Sequence, residues 1–142
     1  MTPFKSHVVF GLVLLLAGLL FDFGFVARKA SEVFQADPVP YLHSWERVLY
    51  DLTKSYMMIL GLASIAFGFV VSRFPSSPKI DWTVFFSLAI GSVLLVATGF
   101  WYASAGPAAT WQPRCTVMTI GLLGIVLSLG LETYRVLTGK PV

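Results

Sequence analysis

Three stretches of this chain, Ser55–Ser72, Trp82–Pro113 and Cys115–Leu131, contain no Asp, Glu, Lys or Arg, and a fourth, Val8–Ala27, contains only Asp22. A helix needs roughly 20 mostly apolar residues to cross the hydrocarbon layer of a bilayer. The pattern therefore predicts an all-α, integral membrane bundle of four transmembrane helices, over approximately 8–27, 55–72, 82–103 and 114–134. Composition agrees: the 142 residues are 56% hydrophobic and 12% charged, with mean hydropathy +0.79, whereas soluble domains are about 25% charged. One membrane domain spanning residues 1–142 is expected.

Between the first two spans lies the longest polar segment, RKASEVFQADPVPYLHSWERVLYDLTK, broken at Asp37-Pro38-Val39-Pro40. Beyond that break Ser44 can cap a helix whose apolar residues Trp45, Val48, Leu49 and Leu52 recur every three or four positions. This makes the loop extended but partly helical, and one continuous helix from about 43 to 72 is expected. Residues 73–79, RFPSSPK, form a tight connection with two prolines, and Pro113 suits the first turn of the last helix. Lys5 ahead of Val8–Phe21 could be taken for a secretory leader. No small-x-small cleavage site follows, because Phe25 stands two residues before Ala27 and Arg28–Lys29 come next, so a retained anchor is expected.

A net charge of +3 and a pI near 9.2 do not point to nucleic acid here. The Lys and Arg residues flank the spans in ones and twos, as headgroup anchors do, with no basic face interleaved with aromatics. Four crossings place both termini on one side. Lys5, Arg73, Lys79, Arg135 and Lys140 mark that side and Arg28, Lys29, Arg47, Lys54 and Arg114 the other, which leaves the basic-residue rule balanced. The two bases of the tight 73–79 turn favour cytoplasmic termini. Aromatic residues gather at both ends, with Tyr41, Trp45, Tyr50, Trp101, Tyr102 and Trp111 on one side and Phe74 and Trp82 on the other.

Lipid supplies no hydrophobic drive for one helix to meet another, so small residues and a few polar contacts must hold the bundle. Stripes suited to this occur on every span: Gly11, Gly18 and Asp22; Gly61, Ser64, Gly68 and Ser72; Ser87 with Gly91 and Gly99 with Ala103; and Gly121, Gly124, Ser128 and Glu132. An unpaired charge in hydrocarbon costs a few kcal/mol or more, so Asp22 should find a partner in Lys54, Arg114 or Tyr102. Asp22, Lys54, Tyr102 and Arg114 are thus the candidate intramembrane polar site. Glu132 has Arg135 three residues on and reads as an interfacial pair.

Most cofactor and catalytic chemistry lacks its residues. Cys115 is the only cysteine, which excludes an intramolecular disulfide, a CxxC pair and a cysteine-cluster metal site. His7 and His43 fall on opposite membrane faces, too far apart to hold one haem. Met57–Met58 point about 100° apart on a helix and read as packing. No serine has a base at its depth, and Asp22 and Glu132 lie near opposite faces, so no catalytic residues and no metal are assigned and an enzyme is disfavoured. A bound lipid or quinone would suit the interfacial aromatics Tyr41, Trp45, Trp101 and Trp111. Membrane lipids and other membrane subunits, or further copies of the chain, are the expected partners. These features point to an accessory or assembly subunit of a larger membrane complex. The alternative is a small homo-oligomeric transporter or channel with Asp22 as its proton- or ion-coupling group.

Overall fold

A computed structural model describes residues 2–34, 44–74, 76–106 and 110–139; Tyr41 and His43 fall outside them. The elements are α1 (Pro3–Phe21), a π-helical turn (Asp22–Val26), α2 (Ala27–Phe34), α3 (Trp45–Arg73), α4 (Pro78–Ala105) and α5 (Pro113–Thr138). Among the described residues there are four helices long and apolar enough to cross a membrane, namely Pro3–Lys29, Trp45–Arg73, Pro78–Ala105 and Pro113–Thr138. The protein is a multi-pass, all-α membrane bundle.

Local chemistry sets the ends of these helices. Thr2 caps α1, with Pro3 in the first turn. Ser44 Oγ accepts the Arg47 amide at 3.3 Å and starts α3. Pro78 and Pro113 open α4 and α5, where a missing N–H costs nothing. Gly106 closes α4 with φ 75°, a left-handed conformation that glycine adopts without strain, and its N–H reaches Tyr102 O at 2.9 Å. At 1.5 Å per residue the 29-residue α3 is about 43 Å long and outreaches a hydrocarbon core of about 30 Å. Its amphipathic first turns, from Trp45, run straight into the span, as the periodicity predicts. The helices exceed the expected spans, and at several ends charged residues, among them Lys5, Arg28, Glu46, Lys79 and Arg135, lie on the added turns.

Two helix pairs make up the bundle. α1 packs on α3 and α4 on α5, and the α3–α4 contact joins the pairs; α1 touches α4, and α3 touches α5, more lightly. Glycines allow the two main crossings. A methyl built on Gly11 would lie 2.5 Å from the Gly61 carbonyl oxygen, and one on Gly91 would lie 2.7 Å from that of Gly121. Gly124 faces the Ser87 carbonyl in the same way, and Gly99 leaves room for Thr53 where α3 crosses α4. Between the pairs, Leu14, Leu60, Leu88 and Leu95 form the buried centre, flanked by Phe10, Phe67, Met118 and Ile125. Of the small residues expected to turn inward, Ser72 does not: it is exposed and bonds its own helix at Phe69 O. Gly68 already packs beside Phe4 O at the start of α1, so one turn farther along there is no neighbouring backbone for Ser72 to meet.

Candidate functional site: a buried charge cluster at the terminal end

The start of α1, the end of α3, the start of α4 and the end of α5 meet at one end of the bundle, here the terminal end. The α3–α4 turn leads directly into Asp81, in the first turn of α4. Asp81 Oδ1 accepts from Ser76 Oγ at 2.6 Å and from Arg135 Nη2 at 2.7 Å. Glu132 lies one turn before Arg135 on α5, its Oε2 3.5 Å from Arg135 Nε, an ion-pair distance without a hydrogen bond. Exposure is only 4% for Glu132, 3% for Arg135 and 9% for Asp81. Neither Glu132 oxygen has a hydrogen-bond donor among the described residues. Burial of this kind corrects the expectation of a Glu132–Arg135 pair at the water interface: Arg135 turns inward to Asp81, and Glu132 stays enclosed behind it.

His7 completes the cluster from α1. It is wholly buried, because Gly68 on α3 leaves space for it; a methyl there would lie 3.2 Å from His7 Cβ. Ser64 Oγ donates to the His7 carbonyl at 2.9 Å and lies 3.3 Å from His7 Nδ1. A hydroxyl has one hydrogen. With that hydrogen given to the carbonyl, Nδ1 is the donor to Ser64, and in the neutral ring Nε2 then carries the lone pair. Nε2 is buried and has no partner among the described residues. The rings of Phe85 and Phe67 stand edge-on to it, at 5.1 and 6.2 Å.

The four residues of the expected intramembrane site separate into two groups at the opposite, loop end. Lys54 Nζ donates to Asp22 Oδ1 at 2.9 Å, with side chains 25% and 38% exposed. Lys54 meets Asp22 because it stands on α3, the helix against which α1 packs. α4 does touch α1 at this depth, Phe100 packing edge-on against Phe21 at 4.9 Å, but Tyr102 and Arg114, on α4 and α5, meet one another instead. The Arg114 guanidinium sits 4.5 Å above the Tyr102 ring, and Tyr102 Oη lies 2.8 Å from Cys115 Sγ. Trp45, Trp101 and Trp111 are exposed, as headgroup-level aromatics are; Trp111 Nε1 donates to Thr116 Oγ1 at 3.1 Å.

Sequence reasoning passed over Asp81 and gave His7 no polar partner. One signal was present: Asp81 stands just inside a proline-started helix at the same end as Arg135, the depth at which opposite charges can meet. Comparison with protein-family models, curated proteins and solved structures finds no match to this chain.

Proposed function

We propose that this protein is a small membrane transporter or channel that exchanges a proton or small cation at the His7–Asp81–Glu132–Arg135 cluster. The observation that carries this reading is the buried, unbonded Glu132 carboxylate beside Asp81, with one guanidinium between two acids. Arg135 balances one negative charge, and the other is open to a proton or a cation. Ionisable groups within spans are costly and are commonly kept for such work. His7 Nε2 offers a second acceptor on the opposite helix pair. Glu132 lies six residues before the end of α5 at Thr138, about 9 Å from it along the axis at 1.5 Å per residue, which is close to water on that side. The coupling role passes from Asp22 to Glu132 because Asp22 is already paired and partly solvated. Four helices enclose little space, so the working unit is a homo-oligomer, with termini in the cytoplasm.

The test is pH-driven flux in proteoliposomes. Glu132→Gln should abolish it, while Asp22→Asn should retain most of it. Equal flux in wild type and Glu132→Gln would remove the proposal. An accessory-subunit role rests on small-residue faces meeting foreign helices, and much of that surface is engaged inside the chain at the Gly11–Gly61 and Gly91–Gly121 crossings. Co-purification of one constant heteropartner after gentle extraction would restore that reading.

A further inference from the structure

Glu132 faces more than the cluster. α3 and α5 touch only lightly, each packing more closely on α4. On the lipid side this leaves a groove of about 310 Å³ lined by Phe67 and Val70 of α3 and by Leu129, Glu132, Val136 and Leu137 of α5. A second polar residue at its wall, Thr133, has its hydroxyl bonded to Leu129 O at 2.8 Å. Glu132 is therefore the one lining side chain here with an unmet demand for a donor; it is more than nine-tenths buried, and both carboxylate oxygens lie beneath the groove surface rather than on it.

We infer that this groove is a lateral binding site for small hydrophobic molecules that carry one positive charge, such as quaternary or tertiary ammonium compounds, entering from the lipid with the cation seated over Glu132, whose buried carboxylate lies just behind the groove wall. The inference rests on the exchange function proposed above and names its substrate class. Charge complementarity selects the ligand. Asp81 is already served by Ser76 and Arg135, and His7 does not line the groove, so the unbalanced charge falls to Glu132. An anion would meet two carboxylates, and a neutral molecule would leave that charge unbalanced. The remaining wall is aliphatic apart from the ring of Phe67, whose face can also favour a cation. The volume is at the small end of the range for ligand pockets, roughly 300–1,000 Å³, so a compact head with its apolar part directed to the lipid is the fitting shape.

The experiment is equilibrium binding of radiolabelled benzyltrimethylammonium to the full chain in lipid nanodiscs. Saturable binding is expected, displaced by excess unlabelled cation but not by neopentylbenzene, its uncharged carbon analogue. Glu132→Gln should weaken binding at least tenfold, and Val70→Trp, which fills the groove and leaves every charged residue in place, should do the same. Absence of saturable binding, equal displacement by the neutral analogue, or wild-type affinity in a folded Glu132→Gln protein would overturn the inference. Should Glu132→Gln fail to fold, unchanged binding in Val70→Trp overturns it alone. The two proposals fail separately. Flux abolished by Glu132→Gln without cation binding would leave the exchange function standing, whereas cation binding without flux would leave only the site.

Discussion

At its loop end the bundle holds acids and bases in pairs that water can reach: Asp22 with Lys54, Arg28 with Glu32, and Arg47 with Asp51 at 3.8 Å. At its terminal end it holds the same residue types almost sealed, with Arg135 between Asp81 and Glu132 and a wholly buried His7 alongside. Exposed pairs contribute little, typically under 1 kcal/mol, because solvent screens them and long side chains lose freedom. A buried charge without its partner is another matter, costing several kcal/mol. The loop end has one buried charge of its own, Arg114, 3% exposed and packed over the Tyr102 ring; its acid–base pairs stay within reach of water, whereas the terminal end encloses a whole cluster of ionisable groups.

That contrast can be broken most sharply at Arg135. Arg135→Met leaves Asp81 and Glu132 buried with no cation and should destabilise the folded chain by about 3–5 kcal/mol, read as thermal unfolding in detergent followed by circular dichroism. A loss below that of Lys54→Met would erase the distinction between the two ends. Next come the crossings, where packing should dominate charge. Gly11→Val or Gly91→Val forces a side chain against a carbonyl and should cost about 1–3 kcal/mol, measured in the same way. Ser64→Ala removes the hydroxyl from both His7 groups and should cost about 1 kcal/mol; it should also alter the His7 ring resonances by NMR, while Ser72→Ala changes neither quantity. The smallest effect belongs to the loop end. Lys54→Met should change stability by less than about 1 kcal/mol, and raising salt should shrink even that.

How far the amino-acid pattern reached differs between the two ends for a physical reason. Hydropathy and charge gaps report depth, so the four spans and the continuous α3 were legible. Most of the glycine stripes were legible too, since a three- and four-residue spacing defines a helix face without knowledge of its neighbour. What depth leaves open is which helix stands beside which. Asp22 had three partners at its level, and only the α1–α3 pairing selects Lys54. Arg135 had Glu132 near it in sequence, but the turn through Ser76 brings Asp81 closer in space. The π-helical turn left no distinctive mark at all: Asp-Phe-Gly-Phe-Val is as acceptable in an α-helix.

That turn at Asp22–Val26 has a consequence for everything after it. The Ala27 amide reaches back five residues to Asp22 O, so the chain carries one surplus residue in that coil, and everything beyond it lags the azimuth of an unbroken α-helix by about one residue's rotation, roughly 100° at 3.6 residues per turn. Lys29 consequently comes round over the Tyr50 ring, 5.3 Å from its centroid, and onto Glu46. Excising Gly24, around which no atom crowds, would wind the helix back and swing Lys29 away from both. The extra residue thus acts as a phase shifter that lets a single unbroken rod present one longitude to α3 inside the membrane and another at its surface.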